Sequence, residues 1–295
     1  MTSIPTSAAP NIATAPRQKA PKGAVDTHIH MLAAADEFAL SPTRVQNPVA
    51  GLDMDGFIAL YKTQMETLGI SRTVVVHSIV YGSDNSVTLE AIERLGRNDT
   101  RGIGLLKDGA TEAEVEALAR AGVKGIRINY VHGGILTWDG AKALAPMLKA
   151  RDMHIQMLVN TEKHLTDLAP DIRELDVPVV FDHIGWPDLS KGPQDTGFQA
   201  LCDLMKDGHA YTKLSGLYRL DAAPFSQTDP FVAALVAANP ERCLWASDWP
   251  YIMLAEAEMS EAGIMLDAFD RVVPAKVRAQ ILVDNPTSLY GFDPL

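Results

Sequence analysis

From Gly23 onward, short apolar runs alternate with longer segments of helical spacing. The runs are AVDTHIH (24–30), RTVVVHS (72–78), RGIGLLK (101–107), VKGIRINY (123–130), HIQMLVN (154–160), PVVFDHI (178–184), AYTKLSG (210–216) and CLWASDW (243–249). They lack strict polar–apolar alternation, as strands buried on both faces do. Between them, Phe57, Leu60, Tyr61, Met65 and Leu68 recur at three- and four-residue steps, the stripe of an amphipathic helix. Thr111 with Glu114 three residues on reads as a capping box, and Gly122 as that helix's end. Pro146 and Pro170 each predict a kink or break inside a helix. Residues 272–292 read as a final helix that stops before Pro286 and is followed by a short return segment.

Eight strand–helix repeats, with no run of strands alone, predict a single closed (β/α)₈ TIM barrel over residues 23–295. An open doubly wound sheet is the rival. It would usually carry a glycine-rich phosphate loop after its first strand, where this chain has Asp26-Thr27-His28-Ile29-His30. The long polar loop from Met31 to about Asp53 is the natural cover over the barrel mouth. Residues 1–22, rich in Ala, Pro, Ser and Thr, read as a mobile tail or an arm on the surface.

Composition narrows the function classes. The chain has 295 residues, 47% hydrophobic and 21% charged, enough for a full core, and aromatics are only 6%, so aliphatic side chains must build it. The net charge of −11 and the lack of Lys/Arg clusters argue against nucleic acid or an anionic membrane as partner. No stretch approaches the about 18 apolar residues of a membrane span, and the N-terminus lacks the apolar centre of a secretory signal. Cys202 and Cys243 stand far apart, in no metal-type spacing, and read as buried reduced thiols of a cytoplasmic protein.

The chemistry gathers at strand ends. His28 and His30, two residues apart on one strand, point to the same side. His183 falls at the end of the sixth run and Asp248 at the end of the eighth. In a barrel these ends meet around one mouth. Taken singly, His183 has the lesser alternative of a core histidine and Asp248 that of a helix cap or turn residue, and both alternatives lose weight when the set is read together.

The set D-T-H-I-H, D-H-I-G-W and S-D-W-P resembles the amidohydrolase superfamily, in particular its 2-pyrone-4,6-dicarboxylate lactonase-like branch, from about Gly23 to Phe292. The resemblance implies an enzyme acting on a small lactone without metal or other cofactor. Within the branch the chain looks most like members that isomerise a sugar-acid 1,5-lactone to the 1,4-lactone by internal transesterification. Hydrolysis at the same site is the alternative, a catalytically silent binding barrel another. Metal-dependent members of the superfamily place a lysine at the end of strand four and a histidine at the end of strand five. Here Lys124 opens its run, His154 lies at the wrong end of its own, and Asn160 stands where a ligand is expected, so a bridged two-metal site does not fit. One zinc on His28, His30, His183 and Asp248 remains chemically reasonable.

Without metal, the N–H groups of His28, His30 and His183 are expected to stabilise the oxyanion, and Asp248 to serve as general base. A sugar-acid lactone also carries a carboxylate, for which arginine is the natural partner. Arg219 matches a substrate-binding arginine of the branch, and Arg127 lies where the branch also binds a substrate carboxylate. His77, Ser78 and Tyr81, at the end of the second run, are candidates for hydroxyl contacts. Tyr218 and Trp249 read equally as wall packing. His132, His154, His164 and His209 carry no assigned role. Oligomeric state is left open.

Overall fold

The computed structural model of the chain describes residues 4–131, 133–254 and 259–294. Eight strands form one parallel sheet in chain order: β1 (Val25–Ile29), β2 (Arg72–Val76), β3 (Thr100–Gly104), β4 (Val123–Asn129), β5 (His154–Leu158), β6 (Val179–Phe181), β7 (Ala210–Leu214) and β8 (Cys243–Trp245). Closure comes just beyond β8. A bridge joins Ile29 to Trp249, the Asp248 N–H donates to the His28 carbonyl, and the His30 N–H donates to the Trp249 carbonyl. The expected (β/α)₈ barrel is the observed one.

A helix follows each strand: α1 (Met54–Leu68), α2 (Ser86–Leu95), α3 (Glu112–Arg120), α4 (Trp138–Lys149), α5 (Thr166–Glu174), α6 (Thr196–Lys206), α7 (Asp229–Ala238) and α8 (Ala262–Val272). Several start where the sequence supplies a cap, worth about 1 kcal/mol each. Asp53 accepts from the Gly56 N–H at 2.8 Å, and Thr111 and Glu114 form the expected capping box. The helices bury their apolar faces against the outside of the sheet. Inside, Val25, Val74, Val76, Ile103, Val180 and Leu244 fill the lower barrel, which Tyr290 and Phe292 close from below.

The prolines behave differently from the sequence expectation. Pro146 sits inside an uninterrupted α4, and Pro170 lies inside α5, with a wide π turn over Thr161–Leu165 leading into it. The terminal helix does not stop before Pro286. It runs from α9 (Ala275–Ala279) through a second π turn, Gln280–Asp284, into α10 (Asn285–Tyr290). Pro286 falls in the first turn of α10, directly after the π turn.

Residues 4–22 do not hang free. Thr6 bridges to Asn47, the Thr14 N–H and hydroxyl both donate to Glu261, and the Ala20 N–H donates to the Leu68 carbonyl at 2.8 Å. The Met31–Asp53 loop lies against the mouth. The Ala33 N–H donates to the Tyr81 hydroxyl at 2.8 Å, and Gln46 Oε1 accepts from the Met253 N–H at 2.6 Å.

A buried clamp fixes the end of β8. Asp26 accepts from both the N–H (2.9 Å) and the hydroxyl (2.5 Å) of Ser247, next to Asp248. Burial pushes the Asp26 carboxyl up to about 6 despite those bonds. Among the described residues, no helix is long and apolar enough to cross a membrane.

Candidate active site

His28 and His30 project from β1 and just beyond it, as the two-residue period requires. His183 and Asp248 are not on strands. β6 ends at Phe181 and β8 at Trp245, and both residues sit on turns with left-handed backbone, φ +53° and +61°. Ile184 (φ +49°) and Trp186 (φ +45°) share that region, so two strained turns carry half of the cluster. Gly216 makes room for the first of them. At φ +66°, a Cβ there would lie 2.5 Å from the His183 ring.

The hydrogen bonds settle which ring atoms face the mouth. His30 Nδ1 lies 2.9 Å from the Val76 carbonyl, which only accepts, so Nδ1 carries the proton and Nε2 offers a lone pair. His28 Nδ1 lies 3.1 Å from Asp182 Oδ1. Burial would raise Asp182, but His28, Lys213 and Arg127 outweigh it and hold the carboxyl well below its usual range. His28 therefore donates through Nδ1 and also turns a bare Nε2 to the mouth. Burial lowers both of these rings, and takes His183 down to about 3, so all three are neutral imidazoles.

His183 differs from the other two. Its Nδ1 is 3.0 Å from the Ser215 hydroxyl, and its Nε2 is 3.6 Å from Asp248 Oδ2. The carboxylate there favours the tautomer with the proton on Nε2. The surroundings of the three rings therefore differ in what they favour at the mouth. His183 presents an N–H, whereas His28 and His30 present acceptors because an acceptor behind each ring has taken its proton.

Asp248 completes the set. Its Oδ2 accepts from the Tyr218 hydroxyl at 2.5 Å and from Arg219 Nε at 3.2 Å. Its Oδ1 is buried, has no hydrogen-bond partner, and faces His28 Nε2 at 3.6 Å and His30 Nε2 at 3.8 Å. Burial would raise this carboxyl, but the His183 ring beside it and the Arg219 guanidinium hold it below its usual value, so it stays anionic among neutral rings.

The two Nε2 atoms are 3.3 Å apart. Three lone-pair atoms so placed have a common point about 2.1 Å from each, a zinc–nitrogen bond length. One divalent ion fits His28, His30 and Asp248 with His183 beside them, and the ligand atoms of His28, His183 and Asp248 all lie within 4.8 Å of one another. A water above the same triangle, donating both hydrogens, fits equally.

The mouth holds a cavity of about 40 Å³, room for a few waters, bordered by His30, Arg127, His183, Arg219 and Asp248. Ile79, Leu158, Trp186, Ile252 and Met253 give it apolar walls. Arg127 donates from Nη1 to the His77 carbonyl at 3.0 Å, and its Nε is buried without a hydrogen-bond partner. Arg219, expected as a carboxylate binder, spends Nη2 on the Ile252 carbonyl and on Asp248.

The second-strand candidates lie outside this cavity. His77 Nε2 is tied to the Gly82 carbonyl at 2.8 Å, the Ser78 hydroxyl accepts from the Val80 N–H, and the Tyr81 hydroxyl bonds the Ala33 backbone. All three shape the mouth loops. His132 falls outside the described residues. Sequence reasoning assigned nothing to Asp182, Gln156 or Lys213. The available signal was the two-residue period, which puts Lys213 and Gln156 inside the barrel beneath the histidines.

A parallel barrel with neutral histidines and an anionic aspartate converging at the C-terminal ends of its strands defines an enzyme-type site. The amidohydrolase family model matches residues 25–292, and the chain belongs to that family. It is 34% identical to the 4-sulfomuconolactone hydrolase of Rhizobium radiobacter, over 98% of this chain and 97% of the relative. It is 29% identical to a 2-pyrone-4,6-dicarboxylate hydrolase of Comamonas testosteroni, over 93% and 92%. The D-galactarolactone isomerase of Agrobacterium fabrum is 26% identical, over 96% of each chain.

Proposed function

We propose that the protein hydrolyses a small lactone bearing an anionic substituent. The observation that carries this reading is the triangle of acceptors, His28 Nε2, His30 Nε2 and Asp248 Oδ1, spaced 3.3–3.8 Å apart in a mouth with room for water. A water there gives its hydrogens to acceptors and directs a lone pair outward, as general-base catalysis requires. The relatives named as hydrolases of a sulfomuconolactone and a pyrone dicarboxylate support the same reading, since both names describe anionic lactones or pyrones.

The water attacks the ring carbonyl as Asp248 takes its proton. The oxyanion that forms meets the His183 Nε2–H, and losing such a donor typically costs about 3 kcal/mol of barrier. Collapse breaks the bond from the carbonyl carbon to the ring oxygen, which leaves as a hydroxyl after receiving the proton from Asp248. The product is the open hydroxy acid, or its keto form where the leaving oxygen is enolic. Arg127 Nε, unpartnered at the cavity wall, holds the anionic substituent. Where His28, His30, His183 and Asp248 hold a divalent ion, it would supply Lewis-acid polarisation.

A second reading is isomerisation, in which a hydroxyl of the substrate takes the water's place. The apolar walls of Ile79, Leu158, Ile252 and Met253 favour it by limiting water, and the relative named as a galactarolactone isomerase supports it. Incubation in oxygen-18 water with 2-pyrone-4,6-dicarboxylate, 4-sulfomuconolactone and D-galactaro-1,5-lactone, read by mass spectrometry, separates the two. Enzyme-dependent label in a new carboxylate is the expected result. An unlabelled rearranged lactone moves the assignment to isomerisation, and no turnover of any of the three sinks both.

A further inference from the structure

Beneath the histidines lies a charged group that the proposed reaction does not touch. Lys213, on β7, is wholly buried inside the barrel. Its Nζ donates to Gln156 Oε1 on β5 at 2.7 Å and lies 3.5 Å from Asp182 Oδ1. Nζ is also 3.3 Å from His28 Nδ1. With the proton on Nδ1, as the Asp182 carboxylate at 3.1 Å favours, these are two donors side by side, converging on one carboxylate oxygen. A buried lysine is expensive to keep charged, and a core needs none for packing alone.

We propose that Lys213 is a positioning residue for the lactone-opening site. It holds the Asp182 carboxylate as the fixed acceptor behind His28, and so keeps the His28 proton on Nδ1 and the lone pair of Nε2 in the mouth. The chain of contacts is Gln156–Lys213–Asp182–His28, drawn from four different elements. Asp182 has a second cation near, Arg127 Nη2 at 3.7 Å from Oδ2, but that guanidinium faces the opposite oxygen. Arg127 therefore balances the charge of Asp182 without fixing the oxygen that His28 uses. Only Lys213 does both. Its anchor to Gln156 explains why a long flexible side chain stays aimed at Oδ1.

The alternative His28 tautomer shows what the device prevents. With the proton on Nε2, His28 would donate to His30 Nε2 and present a lone pair to Asp182 Oδ1 at 3.1 Å. The acceptor triangle would then lose one corner and its hold on water. A cation that holds Asp182 Oδ1 in place behind the ring disfavours that state without entering the mouth.

The inference rests on the lactone-opening reading for its kinetic test, so a second readout stands apart from turnover. In protein labelled with nitrogen-15 histidine, ring nitrogen shifts report the His28 tautomer directly, assigned by the loss of signals in His28→Gln. The wild type is expected to show a protonated Nδ1. Lys213→Met is expected to shift His28 toward the Nε2–H form and to lower kcat about 100-fold, with KM within about threefold. Lys213→Gln, which keeps a polar group, covers the case in which Lys213→Met does not fold. Asp182→Asn should lower kcat similarly, and Lys213→Met added to Asp182→Asn should cost no more than about twofold further.

Unchanged His28 signals in a folded Lys213 variant would overturn the proposal. So would multiplicative losses in the double variant, which mark an independent structural role. A protonated Nε2 in the wild type also refutes it, even if no Lys213 variant folds. If the wild type opens no lactone, the reading of the reaction fails while the tautomer readout still decides the role of Lys213.

Discussion

The barrel has two ends, and each holds histidine in a buried place. At the mouth, His28, His30 and His183 each have a ring nitrogen tied from behind by Asp182, the Val76 carbonyl or Ser215. At the floor, His154 opens β5, stacks edge-on against Tyr290 with ring centres 5.4 Å apart, and has no hydrogen-bond partner on either nitrogen. Around it the floor is closed by the chain end. Phe292 lies under the guanidinium groups of Arg72 and Arg101 at 5.3 and 4.6 Å, and Arg101 Nη2 donates to the Gly291 carbonyl at 2.8 Å. Both regions are buried, so burial does not mark the active end. The difference is that each mouth histidine has one nitrogen committed and the other aimed, and the backbone there is strained.

The sharpest way to break that contrast is at Asp248. Asp248→Asn keeps the shape and the bond from Tyr218 in part, but removes the base. Turnover is expected to fall 10³-fold or more, at the upper end of what a general base supplies, with thermal stability near that of the wild type. Steady-state assays alongside calorimetry check it, and a folded Asn variant with more than a tenth of wild-type kcat removes the general-base role.

Arg127→Met tests whether the unpartnered Nε meets an anion. The loss of a hydrogen-bonded charge pair, about 2–3 kcal/mol, predicts KM for an anionic lactone raised roughly 30- to 150-fold. A neutral lactone such as δ-valerolactone should show no such change. Equal losses on both would make Arg127 a partner of Asp182 alone.

Gly216→Ala sharpens the comparison at the backbone. The added Cβ meets the His183 ring, and the residue must keep φ +66°, a strain of order 1–3 kcal/mol. A lower melting temperature and a roughly tenfold lower kcat are expected together. A variant that loses stability with full kcat would show that the position of His183 tolerates the shift.

How much of this was readable beforehand follows from what kind of signal each feature leaves. The eight strands were legible because doubly buried strands leave uninterrupted apolar runs, and the order of the barrel follows from strictly alternating elements. His28 and His30 were legible through their spacing. The roles of the histidines were not, because a tautomer depends on what stands behind the ring. For His28 that is Asp182, 154 residues away in sequence. Lys213 stayed without a role, although its run reads as buried on both faces, because its partners Gln156 and Asp182 lie in other runs of the sequence. His77, Ser78 and Tyr81 were placed at the mouth by their strand but turned aside by local turns, a choice made within a few residues of backbone. Pro286 misled because it stands directly after a π turn, where the helical chain passes a proline without stopping.

The floor histidine gives the smallest and most diagnostic effect. Burial lowers His154 to about 3, while in the unfolded chain it titrates near the ordinary histidine value of 6.5. Below pH 6.5 the unfolded state takes up a proton that the folded state refuses, so stability is lost progressively as the pH falls toward 3. One such group contributes a slope of about 1.4 kcal/mol per pH unit. His154→Leu should therefore flatten the acid limb by that amount in urea titrations at pH 6, 5 and 4, with little change at pH 7, because neither nitrogen loses a bond. Turnover at pH 7 should be unchanged. An unaltered slope would mean that His154 is already solvated in the folded state, and a fall in kcat would join the two ends that the hydrogen bonds keep apart.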